Sequence, residues 1–365
     1  MFTKRMAVLG TGLIGGSIAL GARTRNRRLP VVGFDDDPAA AAAALGRGAL
    51  SSVADSLEEA VAGADLVVLA MPVDQIPAAC TRLARAVPAE AIVTDVGSAK
   101  AAVVEAGEAA FGPRFVGGHP MAGSERHGIE AADGRLFEDA WWVITPTATT
   151  SSSAYQRVGA LASSLGAKTV AVDPVTHDAL VARLSHVPQI AASALVDMAV
   201  TGGDREALLG LAGAGFRDVT RIAASNPDLW VAILRSNRTA VLEGLQTLGK
   251  RLEGVADAIS AGAWEELHSW LDEARSARLE LFAKPDHGGE PIAISMLVPD
   301  RPGVLAEVTT EAGRLGTNIE DLRIVHSTEG GRGRLELIVA GEAAAGILSE
   351  ALDRLGYRVE RGEFD

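Results

Sequence analysis

The segment Gly10-Thr-Gly12-Leu13-Ile14-Gly15 limits what this chain can fold into more than any other. It lies between a short apolar run, Met6 to Leu9, and a stretch from Ile18 to Arg27 that reads as a helix. Glycines at this spacing permit a tight strand-to-helix turn and let the backbone approach a pyrophosphate at the positive end of the helix. Asp35 follows 20 residues after Gly15, at the end of a second expected strand, Pro30 to Phe34. A carboxylate there can bind a ribose 2′-hydroxyl. Gly10, Gly12, Leu13, Ile14, Gly15 and Asp35 are therefore the expected dinucleotide-binding set. Asp35, Asp36 and Asp37 would repel a 2′-phosphate, which favours NAD over NADP; Arg23, Arg25, Arg27 and Arg28 leave the second cofactor open.

Further apolar runs at 64–70, 91–96, 114–117, 141–145 and 169–172 suit strands, with helix-like segments between most of them. That alternation predicts an α/β fold with a largely parallel sheet of the Rossmann type. After Asp173 the texture changes to alanine- and leucine-rich amphipathic segments, roughly 177–201, 204–224, 227–260 and 263–284, which predict an all-helical second domain. The breaker-rich stretch Lys284 to Pro291 marks a linker. Beyond it, strand 292–298, helix 302–316, strands near 318–327 and 333–340, helix 343–355 and a strand near 357–361 compose a βαββαβ module. A chain of 365 residues is long enough for two or three cores, and the expected domains are 1–173, 174–285 and 286–365.

The formal net charge of −13 argues against broad binding to nucleic-acid phosphates or an anionic membrane surface. An anionic substrate then needs a local basic pocket. Cys80 is the only cysteine, so no internal disulfide and no cysteine-based zinc cage can form, which fits a reducing cytoplasm. No metal site is expected. The first residues pass directly into a strand and a glycine turn, unlike a signal peptide, and no stretch has the roughly 20 uninterrupted apolar residues of a membrane span.

If the cofactor accepts hydride from a carbinol carbon, a base must take the hydroxyl proton, and histidine is best poised for that near neutrality. Of the seven histidines, His119 follows the strand-like Arg-Phe-Val-Gly-Gly and opens a loop. It is thereby expected at the sheet edge where open α/β folds place their ligands. Ser98, in the turn Asp95-Val-Gly-Ser98-Ala-Lys100, is placed to hydrogen-bond that histidine or to cap the next helix. Arg217 and Arg221 put two like charges on one helix face, a mildly unfavourable arrangement that a bound anion would relieve. Asp218 offers a surface salt bridge as the alternative.

GTGLIGGS, DVGSAK, GGHPMAGSE, SHVPQ and GFRDVTRIAASNPDLW, in that order between about residues 5 and 285, resemble the prephenate/arogenate dehydrogenase (TyrA) family of tyrosine biosynthesis. Residues 291–361, with Asp300-Arg-Pro-Gly303 and Asn318-Ile-Glu, resemble an ACT domain, a small amino-acid-sensing fold. The resemblance implies NAD-dependent oxidative decarboxylation of prephenate to 4-hydroxyphenylpyruvate, and a homodimer. It implies that His119 takes the proton of the C4 hydroxyl, that Ser98 hydrogen-bonds His119, and that Arg221 contacts a substrate carboxylate. His177, Ser185 and His186 fall in its pocket-forming segments, and Trp230 is expected in the helical core. Gln189 stands where several members have a second histidine, which leaves arogenate open as the substrate. The ACT resemblance implies tyrosine as an effector, held at Gly303 and Asn318.

Other readings remain. A β-hydroxyacid dehydrogenase usually relies on a lysine in its helical domain, where this chain has only Lys250. A catalytically silent NAD and amino-acid sensor would not need His119, Ser98 and Arg221 together.

Overall fold

The computed structural model describes residues 3–123, 128–201, 211–281, 290–299, 304–317, 319–326 and 332–363. The chain divides into two compact units, 1–254 and 255–365.

The first unit opens with β1 (Met6–Leu9), α1 (Leu13–Arg25), β2 (Val31–Phe34), α2 (Pro38–Gly46), β3 (Ser52–Val53), α3 (Leu57–Val61), β4 (Leu66–Leu69) and α4 (Ile76–Leu83). It continues with β5 (Ile92–Asp95), α5 (Ala101–Phe111), β6 (Phe115–Pro120), β7 (Trp141–Thr145), α6 (Ser152–Ser164) and β8 (Lys168–Ala171). The eight strands lie side by side in the order β3-β2-β1-β4-β5-β6-β7-β8. All pairings are parallel except β6 with β7, so the expected parallel sheet holds with one reversal.

β1 and β4 read MAVL and LVVL and are buried at every residue, the pattern of parallel strands covered by helices on both faces. Strand alternation then builds two cores. Met6, Val8, Leu66 and Val68 point to one side with Ile18 and Trp142, whereas Ala7, Leu9, Val67 and Leu69 point to the other with Phe115 and Ile233. β1 sits between β2 and β4, so the chain leaves it in opposite directions along the sheet and opens a crevice beyond the strand ends.

Next come α7 (Pro174–Val181) and α8 (Val187–Val200), joined through one wider, π-helical turn at Ala182–His186. Such turns are frequent at functional sites. The continuous run Pro174–Val200 is 27 residues long and contains an 18-residue stretch of mean hydropathy 1.3, long and apolar enough by those two measures to cross a membrane. It also buries His177, Asp178, His186 and Gln189, polar groups that the site below employs. Helices at Ala214–Thr220, Pro227–Ser236 and Arg238–Ala261 follow, with a 3-10 turn at Arg221–Ala224. The single helix expected over 227–260 is broken at Asn237. That side chain is buried and its amide donates to the Asp178 carbonyl at 2.8 Å, a tertiary contact that periodicity does not encode.

In the second unit, β9 (Pro291–Pro299), β10 (Ile319–His326), β11 (Arg332–Ala340) and β12 (Val359–Glu363) form an antiparallel sheet in the order β10-β11-β9-β12. Helices Val304–Arg314 and Glu342–Arg354 complete the expected βαββαβ order. Its core joins Ile294, Met296, Leu335 and Leu337 of the sheet to Val308 and Leu348 of the helices. Gly303 and Asn318 lie outside the described residues.

Candidate active site

Two of the three motif glycines are required by packing. Gly10 has φ +95° and its absent Cβ would lie 2.5 Å from the Ala70 carbonyl, while a Cβ on Gly15 would lie 2.0 Å from the Gly10 oxygen. Gly12 is different: nothing stands within 4 Å of where its Cβ would be. It caps α1 without a side chain, and the first turn holds no acid, which leaves the positive helix end to an anion. Leu13 and Ile14 are half-buried on that turn. The Asp35 carboxylate accepts from the Thr11 amide at 2.6 Å and its hydroxyl at 3.0 Å, tying the end of β2 to the glycine turn. A cleft of about 550 Å³ runs past Gly10, Gly12, Asp35, Asp36, Met71 and Arg82. These residues fit a dinucleotide.

Arg82 is the residue of this cleft that sequence reasoning misses. It lies on α4, where nothing in its spacing sets it apart, and it is paired with Glu58 at 2.6 and 2.9 Å. Two of the arginines that follow the glycine turn bond elsewhere: Arg23 to the Leu50 carbonyl and Arg25 to the Gly21 carbonyl.

His119 is the last residue but one of β6, beside the turn that follows β5, at the edge expected of it. Its Nδ1 lies 2.9 Å from Nε2 of His177, and His177 Nδ1 lies 2.8 Å from Oδ1 of Asp178. Asp178 in turn accepts from the backbone N–H groups of Lys100 at 2.7 Å and Ala101 at 2.9 Å, capping α5 from another helix. His119 makes no further hydrogen bond among the described residues. Burial drives its pKa well below the ordinary value of 6.5, and His177, Lys100 and His186 push in the same direction. The ring is therefore neutral near physiological pH, as a base must be.

The expectation that Ser98 orients His119 is corrected. Ser98 is half-buried and makes no hydrogen bond among the described residues; His177 occupies Nδ1 instead. His177 is 58 residues away in sequence, and only the docking of α7 on α5 brings it there.

Beneath this group Lys100 and Asp95 form a fully buried ion pair. Lys100 Nζ also donates to the Gly118 carbonyl at 2.9 Å, and Asp95 accepts from the Gly118 amide at 3.1 Å and the Gly97 amide at 2.7 Å. Gly118 must be glycine, because a Cβ there would lie 2.8 Å from the Asp95 carbonyl and 2.9 Å from the Trp142 indole nitrogen.

His186, on the π turn, has its Nδ1 3.2 Å from the Asn237 amide nitrogen and its ring edge-on to Trp230, centroids 5.9 Å apart. Burial lowers its pKa to about 4, with Asp178 opposing and His177 assisting. Trp230 itself is half-buried and packs on the second core of the sheet rather than within a core of the helical segment. Gln189 is 6% exposed, and its Oε1 is buried with no partner among the described residues. Ser185 is half-buried beside His186. Arg217 and Arg221 are exposed, on a helix and a 3-10 turn that both pack on α8. Among the described residues no cluster of three or more histidine, cysteine or acidic side chains could hold a metal.

Residues 18–171 match the family described as "Prephenate dehydrogenase, nucleotide-binding domain", and 173–273 match "Prephenate dehydrogenase, dimerization domain". A prephenate dehydrogenase of Bacillus subtilis (strain 168) is 33% identical over 334 residues, 90% of each chain. The chain belongs to the prephenate dehydrogenase family. Among solved members, the A. aeolicus prephenate dehydrogenase in complex with hydroxyphenyl propionate and NAD+ superimposes with a TM-score of 0.72 at 31% identity, over 77% of this chain and 99% of its own. The arogenate dehydrogenase of Synechocystis gives 0.67 at 30% identity, over 76% and 99%. Neither domain description of the family extends over the C-terminal antiparallel sheet.

Proposed function

We infer that this chain is an NAD-dependent prephenate dehydrogenase, which oxidatively decarboxylates prephenate to 4-hydroxyphenylpyruvate. Bound NAD supplies the hydride acceptor for C4. The ring carboxylate leaves as CO2, and aromatisation drives the reaction. One observation carries the chemistry: His119 stands at the ligand edge of the sheet, its pKa held low and its Nδ1 2.9 Å from His177 Nε2, which supports reading Nε2 as the base for the C4 hydroxyl proton. Ser98, half-buried in the turn after β5, is read as a contact for the reacting oxygen. Arg221, with Arg217 one helical turn before it, is read as the contact for the ring carboxylate. Ser185, His186 and Gln189 line the end that receives the substrate side chain. The test is NADH formation together with CO2 release from prephenate; no NADH from either prephenate or arogenate would overturn the reading.

Arogenate has one observation in its favour. The unpartnered Gln189 oxygen is an acceptor that suits an ammonium, which arogenate carries and prephenate lacks. Comparing kcat/KM for the two substrates decides between them.

The 173–273 match to a dimerization domain supports a homodimer, and exposed Leu184, Met198, Val219, Leu242 and Leu252 in that stretch supply apolar surface for it. The βαββαβ unit is read as an ACT-type sensor of tyrosine, with Gly303 and Asn318 as its ligand-binding positions. The buried thiol Cys80 and the absence of disulfides suit a cytoplasmic enzyme.

A further inference from the structure

We propose that His177 is a positioning residue for His119: with Asp178 it fixes the one tautomer of His119 in which the Nε2 lone pair faces outward as the base. The inference rests on the reading of His119 as the base, and it follows from which atoms can donate. Both Asp178 oxygens already receive backbone N–H groups, Oδ1 from Lys100 and Oδ2 from Ala101, at the start of α5. A carboxylate so placed accepts and does not donate. His177 Nδ1, 2.8 Å from Oδ1, must therefore carry the proton of that bond. In a neutral His177 the other nitrogen, Nε2, is then a lone pair. It lies 2.9 Å from His119 Nδ1, so His119 Nδ1 is the donor and His119 Nε2 is left unprotonated.

The direction matters because an unheld imidazole divides between two tautomers, and the form protonated at Nε2 cannot accept a proton there. The same arrangement serves the step itself. When Nε2 takes the hydroxyl proton, the imidazolium keeps donating from Nδ1 to His177, whose own donor is already committed to a carboxylate. No proton need leave His119 for the chain to stabilise the new charge. The supporting residues are held in place: His177 is 2% exposed and Asp178 5%, and Asp178 is anchored by two N–H groups of α5 and, at its carbonyl, by the Asn237 amide at 2.8 Å. The chain would run the other way only around a His177 imidazolium, which would leave His119 protonated at Nε2.

The test is the nitrogen-15 spectrum of the full-length enzyme labelled in histidine, with the His119 signals assigned by their loss in His119→Asn. The expected result at neutral pH is a protonated Nδ1 and an unprotonated Nε2 on His119. His177→Leu should then spread His119 over both tautomers and lower kcat between about 10- and 10⁴-fold, the upper end being what a catalytic triad loses when its histidine takes the wrong tautomer. KM and NAD affinity should hold. His177→Gln, whose amide can accept from His119 and donate to Asp178, should recover much of the loss. A wild-type His119 protonated at Nε2 overturns the proposal, as does a His177→Leu variant with unchanged tautomer and kcat. If His177→Leu does not fold, the wild-type spectrum alone decides. Normal turnover by His119→Asn would instead remove His119 as the base while leaving the tautomer result standing.

Discussion

Lys100 and Asp95 are sealed from solvent as an ion pair, and between them they hold both backbone groups of Gly118, the residue immediately before His119. A buried pair of this kind is weak evidence of net stabilisation, because desolvating two charges offsets their attraction. Its consequence lies in what happens when one partner goes. Lys100→Met leaves the Asp95 carboxylate buried and uncompensated, so it should destabilise the enzyme by about 3–5 kcal/mol. Lys100→Met with Asp95→Asn removes the charge and should recover a large part of that. Urea unfolding of the three proteins checks it, and a double variant no more stable than the single would show that packing of the lysine stem, not the charge, is what matters.

His119→Asn should keep NAD affinity while lowering kcat by about 10²–10⁴-fold, the usual contribution of a positioned base. The wild-type pH profile follows from the direction of the shift. Burial, then His177, Lys100 and His186, hold the ring neutral to lower pH than an ordinary histidine, so activity should persist below pH 6.5 before its acid limb begins. In the variant that limb should be missing.

These two predictions rest on parts of the site with very different visibility in the sequence. The glycine turn, Asp35 and the placing of His119 at a strand end were legible because each is encoded locally, by spacing or by alternation within a few residues. The pairing of His177 with His119 was not: resemblance places His177 in a pocket-forming segment, but its role depends on α7 docking against α5, and a histidine followed by an aspartate carries no local signal of a partner 58 residues earlier. Asn237 escaped for the same reason: it interrupts a helix that periodicity would continue. The βαββαβ order of the C-terminal unit was readable from patterning. What that unit binds was not, because Gly303 and Asn318 acquire a role only through resemblance.

His186 makes stability depend on pH in a definite window. Its pKa is lowered to about 4 in the folded chain from an ordinary 6.5, so the unfolded chain binds a proton first on acidification. The sign follows: this contribution is intact above 6.5 and is lost as pH falls from there toward about 4, about 3 kcal/mol in all. His186→Gln cannot titrate. Plots of unfolding free energy against pH should therefore be shallower for the variant between pH 6 and 5, by up to about 1.4 kcal/mol per pH unit. Parallel slopes would contradict the lowered pKa.

Asp35→Ser should weaken NAD binding and narrow the preference over NADP. The carboxylate both offers an acceptor to a ribose hydroxyl and repels a phosphate in its place, and the substitution also frees the Thr11 amide that it now holds at 2.6 Å. Arg82 lies in the same cleft and is paired with Glu58, so Glu58→Gln on top of Asp35→Ser should shift the preference further toward NADP. Titration of each cofactor by fluorescence gives the ratio; equal use of both by the unaltered enzyme would show that Asp35 does not discriminate.

If the C-terminal unit is a tyrosine sensor, L-tyrosine should inhibit the full-length enzyme in a way that does not vanish at saturating prephenate. Allostery requires a second site and a coupling free energy, typically about 1–3 kcal/mol, which corresponds to roughly 5- to 150-fold in apparent affinity. The sheet β10-β11-β9-β12 and its two helices enclose an apolar core of their own, from Ile294 and Met296 to Leu348 and Leu352, so removing residues 288–365 takes that core away whole. The shortened enzyme should turn over prephenate and lose the inhibition that substrate cannot overcome, keeping only whatever competition tyrosine exerts as a product-like ligand at the active site. Equal inhibition of the long and short chains would place the effector at the active site and leave the C-terminal unit without a sensing role.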